Sequence, residues 1–232
     1  MKLRGISSTC SSGRRPLAPA RRPQLAVQDR RPPQTPTRST AGHCFRCGTP
    51  LQLADRAEDT LTRLVCPSCQ FVHYENPKVL VGGIVTSADR ILLCQRALEP
   101  GQGLWAPPAG FLEHCESLEA GAVREIWEET GVVIDPRRLV PYILTSLVDL
   151  QQVYVFFRVD IDDCRPCPGP ESLAAAFFKK SEVPWGQLAF HGMREYVESA
   201  FDENARRRFS VHLDHLKGIT LMRRTFPLSE DQ

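Results

Sequence analysis

Apolar positions along this chain follow two rhythms. The β-branched run Val79-Leu80-Val81-Gly82-Gly83-Ile84-Val85 predicts a central strand. Ser87-Ala88-Asp89 supplies a turn, and Arg90 to Arg96 returns as a second strand. Leu139 to Leu150, Val153 to Val159 and Phe177-Phe178 predict three more. The other rhythm is helical. Leu118, Ala122, Val123 and Ile126 recur at helical spacing and predict a helix from Ser117 to Thr130. Glu116 and Glu119 stand at its start, where carboxylates suit the positive end of the dipole, and Gly131 follows the last turn. Met193, Tyr196, Val197 and Phe201 predict a second helix from His191 to Phe201. Beyond Asp202 the pattern fades, and Phe209 to Leu213 reads as an edge strand.

A chain of 232 residues can bury one sizeable core beside a small accessory module. Its net charge of +2 argues against a broad nucleic-acid surface, and no apolar run reaches the length of a transmembrane helix. The basic excess sits at the front. Residues 1–42 carry Arg4, Arg14, Arg15, Arg21, Arg22, Arg30, Arg31 and Arg38, many Ser and Thr, and Asp29 as their single acid. That composition predicts a disordered organellar transit peptide, chloroplast before mitochondrion; a basic tail with no address is the alternative.

Nine cysteines include three Cys-X-X-Cys pairs. Cys44/Cys47 and Cys66/Cys69 lie eighteen residues apart, the spacing of a four-cysteine zinc ribbon over residues 43–75. Two disulfides or four free thiols are the alternatives, and His43 and His73 are surplus to four sulfurs. Cys164/Cys167 reads as a redox pair or as incidental thiols.

On the first helix Glu125, Glu128 and Glu129 stand at i, i+3 and i+4, so they share one face within reach of a single point. Like charges so close form either a solvated acidic stripe or a site for divalent cations, since all-oxygen ligand sets suit Mg²⁺ or Mn²⁺. The wider pattern is more specific. Gly110, five residues, Glu116, seven residues, then Arg124-Glu125-Ile126-X-Glu128-Glu129-X-Gly131-Val132 resembles the Nudix box with every defining position filled.

That resemblance implies an α/β fold, an α/β/α sandwich with a mixed sheet, and hydrolysis of the diphosphate in a nucleoside diphosphate linked to another group. It implies metal ligation by Glu125, Glu128 and Glu129, an added oxygen from the carbonyl near Gly110, and orientation of the carboxylates by Arg124. Mg²⁺ or Mn²⁺ would be the catalytic cofactor and Zn²⁺ the structural one. The Nudix hydrolase domain is expected over residues 76–202, with a C-terminal extension over 203–232. Homodimers are common in the resembling family, and the expected partner is a small dinucleotide or nucleotide sugar, with no membrane.

The ribbon, the run Tyr74-Glu75-Asn76-Pro77-Lys78 and the Gly169-Pro170-Glu171-Ser172 loop resemble a Nudix subgroup that includes plant chloroplast FAD and ADP-ribose pyrophosphatases. Glu171 is therefore a candidate metal ligand or base, with Glu125 the other candidate base; its bland alternative is a helix-start residue. Trp105 either stacks on a flat ring or packs in the core, and Arg96 either meets a phosphate or lies on the surface. Ribbon-bearing NADH pyrophosphatases carry a Ser-Gln-Pro-Trp-Pro-Phe-Pro signature, whereas this chain reads Val148 to Tyr154 without it. FAD and ADP-ribose are thus the expected substrates. An NADH pyrophosphatase is the near rival, and a non-catalytic nucleotide sensor is the rival of another class. Sensors usually lose box glutamates, and this chain keeps them.

Overall fold

A computed structural model describes residues 42–57 and 59–228. The expected transit peptide lies outside the described residues apart from residue 42. The chain divides into two compact units, with the division after Tyr74.

The first unit is a three-stranded antiparallel sheet of β1 (Gln52–Ala54), β2 (Arg63–Val65) and β3 (Val72–His73). Its core is small: Cys44, Leu51, Leu64 and Cys66, with Phe71 against them.

The second unit is built on one nine-stranded mixed sheet. In chain order its elements are β4 (Lys78–Ser87), β5 (Arg90–Arg96), β6 (Trp105–Ala106), β7 (Ala109–Phe111), α1 (Leu118–Thr130), β8 (Val140–Leu147), β9 (Gln152–Asp160), β10 (Ser172–Lys179), α2 (Met193–Arg206), β11 (Ser210–Lys217) and β12 (Thr220–Pro227). The strands run β10-β5-β4-β9-β8-β11-β12, with β6 on β5 and β7 on β4. β4 pairs parallel to β9 and β8 parallel to β11; the other pairings are antiparallel.

Strand alternation divides the apolar residues between two cores. Ile84, Ile91, Leu93 and Phe156 face α2, where Tyr196, Val197 and Phe201 close the layer. Val81, Val85, Leu92, Val155 and Phe157 face α1 through Ala122 and Ile126. The result is the expected α/β/α sandwich with a mixed sheet. Among the described residues no helix is long and apolar enough to cross a membrane.

Three expectations change. α2 continues through Arg206 and β11 and β12 join the same sheet, so the expected boundary at residue 202 falls inside a helix. β11 is not an edge strand: it lies between β8 and β12, and β12 forms the edge. The region of Phe177-Phe178 is an eight-residue strand beginning at Ser172, so Glu171 precedes a strand and not a helix.

Candidate active site

α1 is fixed at both ends. The Ser117 hydroxyl accepts from the Ala120 N–H at 3.2 Å, and Gly131, at φ 68°, donates its N–H to the Trp127 carbonyl at 2.8 Å. Its third turn carries the acids. Glu125 and Glu129 are 8% and 7% exposed, while Glu128 stands further into solvent.

Arg124 organises this turn. Its Nε and Nη2 donate to the two Glu116 carboxylate oxygens at 3.0 and 2.7 Å, and Nη2 also to the Phe111 carbonyl at 3.0 Å. Nη1 donates to Glu125 Oε1 at 2.7 Å and to Glu128 Oε2 at 2.9 Å. A guanidinium has five N–H bonds in a fixed fork, and these contacts use its full complement. The Arg124 hydrogen bonds pull the Glu116 carboxyl down to about 2, so that acid stays ionised.

Glu129 is held from the other side: its Oε2 accepts the Ala109 N–H at 2.9 Å and the Cys94 thiol at 3.3 Å. Burial pushes its carboxyl up to about 7 despite those bonds. Burial also raises Glu125, against the opposing pull of Arg124. Gly110 leaves the space Glu125 needs, because a Cβ there would stand 2.4 Å from a Glu125 oxygen. The loop carrying Glu171 rests on the end of α1. Cys167 donates its N–H to the Thr130 carbonyl at 2.7 Å, and a Cβ on Gly169 would meet the Glu128 carbonyl oxygen at 1.7 Å.

Glu125, Glu128, Glu129, Glu171, Gly110 and Arg124 all line one cleft of about 690 Å³. Glu171 lies close enough to Glu125 to raise its carboxyl further. Among the described residues, Glu171 is the one glutamate of these four whose side chain takes no hydrogen bond from the protein. The acids do not converge on a single point as their helical spacing suggests. Among the described residues only the four ribbon cysteines bring three or more ligand atoms within 4.8 Å of one another. The reason is electrostatic: Arg124 holds Glu125 and Glu128, and Glu129 turns to Ala109 and Cys94.

The donor set nonetheless suits divalent cations. Six carboxylates, these four with Glu99 and Glu113, share the cleft with two arginines, one of which is fully engaged. Burial already penalises the charge on two of the acids, a penalty that a cation relieves.

Arg96 lines the same cleft. Its Nε donates to the Pro100 carbonyl at 2.9 Å and its guanidinium lies 5.1 Å from the Phe190 ring centre. Trp105 does not line the cleft. It pairs with β5 and packs edge-on to Phe178, ring centres 4.9 Å apart, which realises the core-packing alternative. Sequence reasoning missed Cys94 and Phe190. Strand alternation, which places Cys94 on the Leu92 side of β5, was a usable signal for the first; Phe190 sits in an irregular connection and gave none.

In the ribbon the two knuckles repeat one geometry. Gly48 and Gln70 donate to the carbonyls of Cys44 and Cys66 at 2.7 and 3.0 Å, and the N–H groups of Cys44 and Cys66 donate to Thr49 and Phe71 at 2.8 Å. The sulfurs of Cys44–Cys69, Cys47–Cys66 and Cys47–Cys69 lie 3.6, 3.4 and 3.6 Å apart. Four ligands about 2.3 Å from a central Zn²⁺ stand roughly 3.8 Å apart, so the cluster fits that ion. His43 and His73 lie outside it.

Residues 76–208 match the family described as NUDIX domain, and residues 43–75 match the zinc ribbon described as Nudix N-terminal. An ADP-ribose pyrophosphatase of Methanocaldococcus jannaschii is 33% identical over 119 residues, 50% of this chain and 69% of its own length. Phosphatase NudJ of Escherichia coli K12 is 38% identical over 114 residues, 43% of this chain and 74% of its own. The crystal structure of a NUDIX hydrolase from Nitrosomonas europaea matches with a TM-score of 0.70 at 36% identity, covering 75% of this chain and 98% of that one.

Proposed function

The chain belongs to the Nudix hydrolases and carries their N-terminal zinc ribbon, and from that premise we propose that it splits the diphosphate of ADP-linked substrates. The first substrate is ADP-ribose, giving AMP and ribose 5-phosphate. The observation that carries this reading is the cleft in which Glu125, Glu128, Glu129 and Glu171 gather. The name of the Methanocaldococcus jannaschii relative supports the choice of ADP-ribose. FAD, giving FMN and AMP, is the second reading; the cleft of about 690 Å³ leaves room for a group larger than ribose.

Glu125, Glu128 and Glu129, with the carbonyl near Gly110, would hold Mg²⁺ or Mn²⁺. Such ions neutralise phosphate charge and acidify a bound water. Arg124 donates to Glu125 and Glu128 and so fixes their direction in the cleft, and the Ala109 N–H fixes Glu129. Glu171, free of protein donors, accepts the proton as water oxygen bonds to one phosphorus and the bridging P–O bond breaks. Arg96, which lines the same cleft near Glu129, meets a phosphate oxygen. The composition of residues 1–42 supports delivery to an organelle, chloroplast first; a reporter carrying that segment should leave the cytosol.

The test is a panel of ADP-ribose, FAD, NADH, CoA and oxidised nucleotides incubated with Mg²⁺ and separated for products. AMP should form from ADP-ribose or FAD. Tight binding of either without any AMP would instead make the protein a sensor and sink the reading.

A further inference from the structure

A second cavity of about 290 Å³ adjoins the acidic cleft and shares three of its walls, Leu150, Tyr154 and Phe190. Leu147 and Leu216 complete its apolar side, while Asp149, His191 and the Gly218 turn form its polar rim. A cavity of this size is at the lower limit for a whole ligand and suits one flat ring of a larger one.

Two features of its walls are unusual. Leu150 and Phe190 are 62% and 40% exposed at the junction between the cavities. Exposed apolar walls beside a charged cleft mark a binding groove. Phe190 is also held at φ 64°, a left-handed conformation that a bulky aromatic residue rarely adopts and that clusters at ligand sites. That backbone presents the Phe190 ring between the two cavities, with the Arg96 guanidinium 5.1 Å from its centre on the cleft side. Asp149 is positioned by the Gly218 N–H, which it accepts at 3.0 Å, so the rim is tied to the β11–β12 turn.

We infer that this annex is a ring subsite. It takes the flat heterocycle of a nucleotide whose diphosphate lies on the glutamates, with Leu150 and Phe190 against the ring faces and Asp149 and His191 at its polar edge. The inference rests on the proposed diphosphatase reading for the location of the diphosphate. Adenine and the flavin ring share the required chemistry, flat, aromatic and edged with hydrogen-bonding groups.

The experiment measures equilibrium binding to the full chain with Mg²⁺, so it does not depend on turnover. The probes are AMP, FMN and ring-free inorganic diphosphate, against wild type, Leu150→Ala and His191→Ala. Both substitutions fall at exposed positions, and a thermal melt checks each variant. Loss of the Leu150 wall should weaken AMP, FMN or both by roughly tenfold and leave diphosphate binding unchanged. The nucleotide affected identifies the ring. Equal binding of AMP and FMN by wild type and both variants overturns the subsite, as does equal weakening of diphosphate. A wild type that binds through the annex but yields no AMP from ADP-ribose or FAD would sink the proposed activity and leave the subsite standing.

Discussion

The two metal-suited clusters of this protein are built on opposite plans. In the ribbon, four thiols from two matched knuckles already stand 3.4–3.6 Å apart where measured, close to the edges of a zinc tetrahedron. In the cleft, four carboxylates share a wall but keep apart, three of them tied by Arg124, Ala109 and Cys94. Chemistry accounts for the contrast. Protonated thiols carry no charge and can sit together, whereas carboxylates repel and need a counter-charge or a hydrogen-bond donor to approach. A closed four-sulfur set leaves no position for a substrate. An open acidic wall leaves room for phosphate oxygens and water between its ligands. One plan staples a fold and the other does chemistry.

The contrast breaks most visibly through turnover. Glu129→Gln keeps the shape of the side chain and the Ala109 bond but loses the charge; turnover should fall by about two to three orders of magnitude, with the protein still folded in a thermal melt. Near-wild-type rates in this variant would reduce the acidic wall to a solvated stripe. Glu171→Gln should cost about a hundredfold as loss of a general base. It should leave the thermal melt unchanged, which a merely structural loss would not do.

A third experiment sharpens the comparison through pH. Glu129 is raised in the fold to about 7 from an ordinary value of 4.5. Below 4.5 both folded and unfolded chains hold this proton, so the group contributes nothing. Between 4.5 and 7 the unfolded chain ionises first, and metal-free stability falls by about 3 kcal/mol in total. Above 7 the loss is constant. Denaturant titrations of metal-free protein at pH 5 and pH 8 should therefore differ more for wild type than for Glu129→Gln, and saturating Mg²⁺ should narrow the wild-type difference. Identical differences in both proteins would show that burial of this acid costs nothing.

The smallest effect on catalysis belongs to the ribbon. Purified protein should carry about one zinc per chain, and Cys66→Ser should lose it. Because residues from Glu75 onward form their own compact unit, hydrolysis should fall by no more than about twofold. A collapse of activity on zinc loss would mean that the closed cluster serves the open one.

Legibility in the sequence followed local physics. α1 was readable because its cap, its apolar stripe and its terminal glycine agree, and the limits of β5 coincide with its apolar run. β11 was misread because its inward positions are His212, Asp214 and Leu216. His212 bonds Glu203 and Thr225 at 2.9 and 3.1 Å, and Asp214 takes a bidentate contact from Arg223 at 2.8 and 2.7 Å. Buried polar residues satisfied by other side chains read as solvent-facing, so a strand paired on both sides looks like an edge. β10 hid behind Ala174-Ala175-Ala176, which have little preference for strands. In the site, Glu125, Glu128, Glu129 and Arg124 were legible from the box, while the direction of the Glu129 carboxylate depends on Ala109 and Cys94, which no spacing in the box encodes. Phe190 was invisible for a similar reason: its role depends on a backbone angle.

Gly169 stands outside the box, yet the carbonyl of Glu128 occupies the place where its side chain would be. In a library randomised to alter substrate range, the recovered sequences should vary freely around Leu150 and the turn at Gly218, and should return glycine at 169 almost without exception. An inactive clone substituted there would mimic a lost active-site acid while keeping all of them, its failure lying in two pieces of backbone that can no longer touch.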